Sequence, residues 1–508
     1  MVKDNSSVTR RNLMAGMLGA LATPALANAP LTSLFPLARP GAAEPTAAAV
    51  GALRAPQGSL DALLARAGVS GQTAAIAVDA ETGAVVEEHR GDLVMPPAST
   101  AKAITAMYAL QTLGLEHRFV TRIEAAGGAE IRNGELAGDL VLRGGGDPTL
   151  QTADLARLAD QLVQRGLRRV SGRFVVDDSA LPGVAQIDPG QPVSAGYNPA
   201  VSGINLNFNR VHFSWETREG QARLALDARS EREVPAVSVI AIRAAARDLP
   251  VYTHAIEGGR EQWTVAAAAL RSPGSRWLPV RSAAAYAGDV LRALLAARGC
   301  QIPPAQLARA AQGAVLVEHR SAALRPMVAE MLRYSTNITA ESLGLSATLR
   351  LGGRPGGLEP SAARMNAWIG ERYDAPGMAL IDHSGLGPGS RVTPRVMARY
   401  LVAARREGVL PDLLRLHPMR DSAGRESAGH PVTVRAKTGT LNFVSALAGY
   451  AQARGGRAIA FAIFSADMDR RRRISEADGE QPSGTRAWSG QARGLQQALI
   501  ERWAGLSG

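Results

Sequence analysis

The stretch ASTAKAIT, residues 98–105, and the stretch RAKTGT, residues 435–440, hold two of the three lysines in a chain of 508 residues. The third is Lys3. Lysine and arginine together number 57, so almost every cationic side chain is an arginine. Arginine does not release its proton at any useful pH, whereas a lysine driven neutral by burial and nearby positive charge can act as a base. We therefore interpret Lys102 as a position where the chemistry requires an amine.

A helix is predicted to begin near Ser99, because Ala103, Met107 and Leu110 recur at helical spacing after two prolines. Positions i and i+3 lie on one face of a helix, so the Ser99 hydroxyl and the Lys102 amine can meet. A serine hydroxyl is a poor nucleophile until a base takes its proton. The positive end of the helix helps to keep such an amine neutral. The SxxK spacing thus predicts Ser99 as a nucleophile and Lys102 as its base.

The other internal lysine, Lys437, opens the sequence KTGT on a predicted strand. Gly439 inside that strand allows another backbone to approach closely. The hydroxyls of Thr438 and Thr440, beside a compact ammonium, suit a substrate carboxylate. An extended peptide laid along the strand would gain main-chain hydrogen bonds. The pattern therefore predicts a strand that binds a peptide.

A third element, Ser335-Thr336-Asn337, stands before an apolar helical run. Each of the three elements alone has an ordinary explanation: an N-cap serine, a surface lysine or a turn. Taken together they carry more weight, because the two internal lysines fall in two of the three elements. We interpret the set as one catalytic site.

The composition is that of a globular protein, with 46% apolar and 20% charged residues, and its length favours two or more domains. Aromatic residues make up 4%, which provides no stacking platform for single-stranded nucleic acid. The single cysteine, Cys300, excludes an intramolecular disulfide, and the eight histidines show no HExxH spacing. The formal net charge of +12 favours anionic surroundings such as acidic lipid head groups or carboxylate-rich cell-wall polymer. We predict no metal, no other cofactor and no nucleic-acid partner, and we leave peripheral membrane contact open.

Residues 1–27 are predicted to be an export signal, followed by a linker at 28–55 that is rich in Ala, Pro and Gly. Arg10-Arg11 precede a short apolar stretch, and Ala25-Leu26-Ala27 forms an A-x-A cleavage site. The paired arginines resemble a twin-arginine signal, which exports folded protein; the alternative is a general secretory signal. Either signal places the mature protein outside the cytoplasm, and we predict the periplasm.

Strand and helix patterns at both ends of the chain flank a β-rich middle. The predicted elements are a hairpin at 73–89, a helix after Ser99, β-like pieces at 119–126, 139–150, 173–181 and 203–215, helices at 281–299 and 327–349, three strands between 432 and 466, and a helix at about 485–504. This order predicts one α/β domain made from the two ends, with the middle inserted into it.

The SxxK, SxN and KTG elements, in this order, resemble the signature of penicillin-binding proteins and serine β-lactamases. The long interval between Ser99 and Ser335 resembles that of class C low-molecular-mass penicillin-binding proteins, the D-alanyl-D-alanine carboxypeptidase/endopeptidase family. The further segments that resemble this family are GGGDPTL (144–150), VVDDS (175–179), YNPAVSGINLNFN (197–209), YAGDVLRALLAARG (286–299) and DHSGLGPGSRVTP (382–394). The resemblance covers roughly residues 60–508.

The resemblance implies an α/β (α+β) transpeptidase-like fold, in which an antiparallel sheet has helices on both faces. Residues 56–116 and 306–508 are then expected to form the serine peptidase domain, and residues 117–305 a β-rich insert of one or two subdomains. The active site would lie between the edge strand of the sheet and the helical part.

The resemblance also implies a mechanism on peptidoglycan stem peptides. Ser99 would attack the carbonyl between two D-alanines while Lys102 accepts its proton. The backbone N–H groups of Ser99 and Thr440 would form the oxyanion hole. Ser335, between Lys102 and Lys437, would pass a proton to the departing amine. β-Lactams, which mimic the dipeptide, would be trapped at Ser99.

Substrate-binding roles follow in the same way. Asn337 would hold the amide of the peptide. Thr438, Gly439 and Thr440 would bind the end of the peptide, and the two threonines would contact its terminal carboxylate. In the resembling family an acidic residue of the insert meets the free ammonium of the stem peptide. That comparison favours Asp177 over its neighbour Asp178, although a structural carboxylate at a strand end explains Asp177 equally well.

Two further positions are singled out by the same comparison. Tyr197 falls where some relatives approach the substrate. His383 stands where the family usually has a small residue, and this change is either benign or alters the wall of the cleft.

Two other functions compete with the peptidase. A serine β-lactamase would share the chemistry but needs a carboxylate for fast deacylation, and we find no ExxLN segment of the class A kind. A non-catalytic cell-wall-binding scaffold would be expected to lose the nucleophile or a lysine, and all are present here.

Overall fold

The structure is a computed structural model that describes residues 58–218, 221–421, 424–475, 478, 480 and 482–507. The predicted export signal at 1–27 and the linker at 28–55 lie outside these residues. Within this part of the chain, none of the helices combines the length and the apolar character needed to cross a membrane.

The α-helices are α1 Leu60–Ala67, α2 Ala101–Leu113, α3 Thr152–Gln164, α4 Ala283–Ala297, α5 Leu324–Tyr334, α6 Asn337–Arg350, α7 Leu358–Arg372, α8 Pro394–Arg406, α9 Leu410–Leu413, α10 Met468–Arg472 and α11 Thr485–Leu506. The strands are β1 Gln72–Asp79, β2 Val85–His89, β3 Val120–Ala125, β4 Ile131–Arg132, β5 Glu135–Leu136, β6 Leu140–Arg143, β7 Arg169–Val170, β8 Phe174–Asp177, β9 Arg210–Arg218, β10 Gln221–Asp227, β11 Ile240–Ala245, β12 Tyr252–Glu257, β13 Arg260–Ala266, β14 Gly274–Pro279, β15 Ala305–Leu307, β16 Ala314–Arg320, β17 Val432–Leu441, β18 Val444–Ala453 and β19 Ala458–Ala466.

One sheet joins the two ends of the chain. Its strand order is β17-β18-β19-β1-β2, and all its neighbouring strands are antiparallel. Alternate residues of β19 serve two cores: Ala460, Ala462 and Phe464 belong to the core that contains α2 and α8, whereas Ile459, Phe461 and Ile463 belong to the core that contains α11. Because helices cover both faces, β18 and β19 are nearly continuous apolar runs. The strand β17 lies at the edge of this sheet.

A second five-stranded sheet, in the order β15-β8-β6-β3-β16, mixes parallel and antiparallel pairs. It shares a separate core with α3 and α4 and with the strands of the smaller sheets β10-β9-β14 and β11-β13-β12. The strand β16 pairs with β3, so this sheet extends past the expected end of the insert at residue 305. That pairing joins strands about 190 residues apart, and no local pattern signals it. The division into domains stays a prediction.

The structure corrects two predicted elements. The single helix expected at 327–349 is two helices, α5 and α6, because Ser335 has a left-handed backbone with φ of 61°. The strand expected at 203–215 begins only at Arg210. The residues before it form a turn in which Asn207 and Asn209 also have positive φ, a conformation that asparagine tolerates better than most residues. Helices α7 and α8 were not predicted.

Candidate active site

The turn that carries Ser99 leads directly into α2. Residues Ala98–Thr100 form a single 3₁₀ turn, and Ala98 adopts a positive φ of 45°. The Thr100 hydroxyl donates to the Pro97 carbonyl at 2.7 Å and fixes this turn. Gly385 packs against it, since a Cβ at Gly385 would lie 1.9 Å from the Ala98 carbonyl oxygen. Such backbone strain is retained where the surrounding structure enforces it, and here it presents Ser99 at the start of the helix.

Lys102 lies one turn further along α2 and is 0% exposed. Its Nζ donates to three oxygens: Ser99 Oγ at 2.9 Å, Asn337 Oδ1 at 2.7 Å and the Ser384 carbonyl at 2.8 Å. Burial lowers the pKa of Lys102 to about 8, although the carboxylates of Glu341 and Asp382 act in the opposite direction. All three oxygens belong to uncharged groups, so no carboxylate is hydrogen-bonded to the amine.

The break between α5 and α6 places the SxN element against both lysines. Ser335 is the left-handed residue that ends α5, and its Oγ accepts a hydrogen bond from Lys437 Nζ at 3.0 Å. Asn337 is the first residue of α6, and its Oδ1 accepts from Lys102. Side-chain hydrogen bonds therefore join Ser99, Lys102 and Asn337 in one set and Ser335 and Lys437 in another, and the SxN element links the two sets because it carries a member of each.

Lys437 is also buried, at 2% exposure, and its Nζ donates to the Thr438 carbonyl at 2.7 Å. Burial lowers its pKa, and the nearby charges of Lys102 and Arg415 add to this effect. Two cationic side chains in one buried site disfavour each other's charge. Their proximity therefore helps to keep an amine available as a base.

The edge strand β17 lies directly against the Ser99 turn. A Cβ at Gly439 would lie 2.9 Å from both the Pro97 carbonyl oxygen and the Ser99 nitrogen, so only glycine allows this approach. The Ala436 N–H donates to the Arg415 carbonyl at 3.2 Å, on the side of β17 away from β18. Main-chain groups of alternate residues in an antiparallel strand point to the same edge.

The pairing of β17 with β18 is unbroken from Val432 to Leu441. The main-chain groups of Thr438 and Thr440 therefore point to the same open edge as those of Ala436. The N–H of Thr440 thus faces the cleft beside the Ser99 turn. An extended peptide could pair with β17 at this edge.

Tyr197 approaches the site from a loop of the β-rich region. Its carbonyl accepts from Asn337 Nδ2 at 2.9 Å, while its side chain is 44% exposed and its hydroxyl donates to Gln191 Oε1 at 3.0 Å. The pKa of the Tyr197 hydroxyl is raised, mainly by burial, so this group stays protonated. Asn337 thus links Lys102 to this loop.

Asp177, in contrast, is not joined to these residues by any hydrogen bond or ion pair within the described chain. Its carboxylate is 1% exposed and pairs with Arg143 at 2.5 Å. It also accepts the N–H groups of Ser179 and Ala310. The neighbouring Asp178 accepts from the Ser202 hydroxyl at 2.8 Å. The geometry therefore favours a structural role for Asp177, as the strand-end alternative anticipated.

His383 does not line the cleft. It is 0% exposed, its Nε2 lies 2.9 Å from Ser361 Oγ, and its ring stacks on Tyr108 at 6.5 Å. A Cβ at Gly344 would lie 2.1 Å from the ring, so the absence of a side chain there makes room for the imidazole. Burial lowers the pKa of His383 to about 3, and the ring is neutral.

Sequence reasoning missed three groups at the site: the Ser384 carbonyl, Glu341 and Asp382. Both carboxylates are buried, and each accepts two main-chain N–H groups of the segment 383–387. The DHSGLGPGSRVTP segment was noted, but nothing in its sequence shows that it folds against Lys102. Among the described residues, no group of three or more His, Cys, Asp or Glu side chains could hold a metal ion.

Comparison with known proteins identifies relatives along most of the chain. Residues 56–480 match the model of the D-Ala-D-Ala carboxypeptidase 3 (S13) family. A D-alanyl-D-alanine carboxypeptidase from an Actinomadura species is 28% identical over 506 residues, which cover 92% of this chain and 90% of the relative.

Solved structures of penicillin-binding protein 4 from Haemophilus influenzae share the fold. The match to one of them has 20% sequence identity and a TM-score of 0.71. It covers 87% of this chain and 100% of the chain in that structure. Another, complexed with a β-lactam, is 21% identical with a TM-score of 0.68 and the same coverage. These matches confirm the predicted family and fold class.

Proposed function

The chain belongs to the D-Ala-D-Ala carboxypeptidase 3 (S13) family and is a serine-type carboxypeptidase of that specificity, and we propose that it works through an acyl-enzyme formed on Ser99. The observation that carries this proposal is the 2.9 Å hydrogen bond between Lys102 Nζ and Ser99 Oγ, made by an amine that is fully buried. A neutral amine at that distance is within reach of the hydroxyl proton.

In the acylation step Ser99 Oγ forms a bond to the carbonyl carbon between the two D-alanines, and its proton passes to Lys102 Nζ. The carbonyl oxygen becomes an oxyanion. The main-chain N–H groups of Ser99 and Thr440 are proposed to bind it, which the contact of Gly439 with the Ser99 turn supports. Losing one oxyanion-hole donor typically costs about 10²–10³ in rate.

The C–N bond then breaks, and the departing D-alanine nitrogen must receive a proton. Ser335, whose hydroxyl is hydrogen-bonded to Lys437, is proposed to deliver it and to be reprotonated by the Lys102 ammonium, so that the proton from Ser99 is passed on and Lys102 is neutral again. Water afterwards hydrolyses the ester on Ser99, and the serine recovers its proton. The oxygen of the water bonds to the acyl carbon, one of its protons goes to Ser99 Oγ, and apart from peptide and water each step needs only groups that this chain provides.

We propose that the stem peptide lies along the open edge of β17. Thr438 and Thr440 would bind the terminal carboxylate, Gly439 would allow the close approach, and Asn337 would hold the peptide amide with the second hydrogen of Nδ2. Tyr197 would border the peptide. The role of Asp177 toward an ammonium group stays a prediction, since a bound ammonium would have to share the carboxylate with Arg143.

We also propose that peptidoglycan peptides are the substrates, that cross-bridge endopeptidase activity accompanies carboxypeptidase activity, and that β-lactams acylate Ser99. A β-lactam complex of penicillin-binding protein 4 from Haemophilus influenzae supports the last point by analogy. The periplasm is the proposed location, in keeping with the export signal and its paired arginines.

Labelling by fluorescent penicillin tests the acyl-enzyme directly. The wild-type protein should bind one equivalent, and a tryptic peptide containing Ser99 should carry the added mass, whereas Ser99→Ala should carry none. Labelling of the alanine variant would refute the proposal. Rapid nitrocefin turnover, in place of one-to-one trapping, would favour a β-lactamase.

Intact, cross-linked peptidoglycan separates the two peptidase activities. Mass spectrometry should detect loss of terminal D-alanine as well as opened cross-links. Products that lack only the terminal alanine would remove the endopeptidase part of the proposal.

A further inference from the structure

Glu341 is a buried carboxylate whose position is tied to the SxN element. It lies on α6 four residues after Asn337, so both side chains project from the same face of one helix. It is 0% exposed. Its two oxygens accept the N–H groups of His383 and Ser384, each at 2.9 Å.

Ser384 connects this carboxylate to the proposed base. Its N–H binds Glu341, and its carbonyl accepts from Lys102 Nζ at 2.8 Å. Helix α6 therefore holds Lys102 in two ways, directly through Asn337 and indirectly through Glu341 and Ser384. A shift of the Ser384 carbonyl would move the amine away from Ser99.

Glu341 has no ion-pair partner among the described residues, which is unusual for a carboxylate buried so fully. The charges that act on it are those of Asp382 and Lys102. Burial, and after it the charge of Asp382, raise the pKa of Glu341 to about 8, although Lys102 and the hydrogen bonds from His383 and Ser384 act in the opposite direction. Burial also raises the pKa of Asp382.

We propose that Glu341 is a positioning residue that acts through Lys102: it fixes the Ser384 carbonyl against Nζ and supplies the counter-charge for the ammonium that forms when Lys102 takes the Ser99 proton. This inference rests on the proposed function of Lys102 as the base. The groups that face the amine are Glu341 from α6, Asp382 from the loop before Ser384, and Lys437 from β17, whose positive charge opposes the two carboxylates.

The scarcity of lysine makes the test direct. In protein labelled with ¹³C at lysine Cε, the full chain contributes three signals, from Lys3, Lys102 and Lys437, and the mature chain without the predicted export signal contributes the last two. The variants Lys102→Arg and Lys437→Arg assign the two buried ones. The chemical shift at Cε then reports the protonation of Lys102 as a function of pH, without any need for peptidase activity.

In Glu341→Gln the amide keeps the size of the side chain but removes its charge. The pKa of Lys102 should fall by about one unit or more, because the negative charge of Glu341 raises it in the wild-type protein and the site is fully buried. The acylation rate with penicillin falls at low pH, and this acid limb of the pH profile should move to lower pH by the same amount. The plateau rate should fall about tenfold or more, because the Lys102 ammonium loses its counter-charge.

Ser361→Ala is the matched control. It loosens the same loop by removing the partner of His383 Nε2, but it leaves every charge near Lys102 in place. The titration of Lys102 and the acid limb should be unchanged in this variant.

An unchanged Lys102 titration in folded Glu341→Gln would overturn the inference, and so would a lower plateau without a shift of the limb, since that result indicates a purely structural role. If this variant does not fold, the wild-type titration decides. The Lys102 curve should show two steps, because a carboxylate in contact with it through Ser384 titrates over the same pH range. A single step would contradict the inference while leaving penicillin acylation, and with it the proposed function, intact.

Discussion

Two cationic groups, the buried Lys102 in the site and the half-buried Arg143 in the β-rich region, have surroundings that differ in kind. Arg143 forms ion pairs with Glu124 at 3.0 Å and with Asp177 at 2.5 Å. Lys102 donates only to a hydroxyl, an amide oxygen and a carbonyl. A guanidinium between two carboxylates stays charged, whereas a buried amine among neutral oxygens can release its proton. The first arrangement suits structure and the second suits catalysis.

Replacing the cation in the site should give the largest effect. Lys102→Arg keeps a positive charge but cannot serve as a base, so acylation by fluorescent penicillin should slow by about 10³-fold or more. Circular dichroism should show an unchanged fold. Acylation at the wild-type rate would show that Lys102 does not act as the base for Ser99.

Removing the cation in the β-rich region should affect stability. Arg143→Ala leaves the two buried carboxylates of Glu124 and Asp177 without an ion-pair partner, and this type of change typically costs about 3–5 kcal/mol. Urea unfolding measures the loss. The control is Arg122→Ala, whose pair with Glu318 is about one-third exposed and should contribute about 0–1 kcal/mol. Equal losses of unfolding free energy in the two variants would show that the ion pairs of Arg143 contribute no more than an exposed pair.

The second lysine in the site can be tested through its partner. Ser335→Ala removes the hydroxyl that Lys437 holds, and turnover of a D-alanyl-D-alanine peptide should fall by about 10²-fold or more. Ser342→Ala serves as control, because this buried serine lies on α6 and its hydroxyl has no hydrogen-bond partner among the described residues. If both variants keep wild-type turnover, Ser335 has no part in proton transfer.

The pH profile should show the smallest but most general effect. Burial lowers the pKa of Lys102 from 10.5 to about 8, so the base form prevails above that pH and disappears below it. The acylation rate should therefore fall about tenfold for each pH unit below about 8. Stopped-flow labelling between pH 6 and 10 measures the limb. A fall in the acylation rate that already begins near pH 10 would match an ordinary lysine and would contradict the lowered pKa of Lys102.

The residues proposed to react were singled out from the sequence because their spacing is local or their chemistry is rare. Ser99 and Lys102 lie on one helical turn, and Lys437 stands out as one of three lysines. The break at Ser335 was missed because the helical pattern of 327–349 continues across it and the left-handed turn depends on tertiary contacts, although Thr336 and Asn337 are weak helix formers. Glu341 and Ser384 were missed for the same reason, because a fold with distant pairings brings them to Lys102.

The role of Asp177 toward an ammonium group stays a prediction, and its surroundings show a limit of sequence motifs. Its sequence context matched a family position, but its charge is taken up by Arg143, which precedes it by 34 residues. A cross-strand partner of this kind follows from the parallel pairing of β6 with β8, which no local pattern reveals. A motif indicates which residue types are present. The pairing of strands decides which of the charged side chains have an ion-pair partner.

The most direct measurement is the titration of the Lys102 side chain in the wild-type protein, followed by the ¹³C shift at Cε. A midpoint near pH 8, well below the ordinary lysine pKa of 10.5, is the expected result. A side chain that remains an ammonium up to pH 10 would leave Ser99 without its base and would contradict the account.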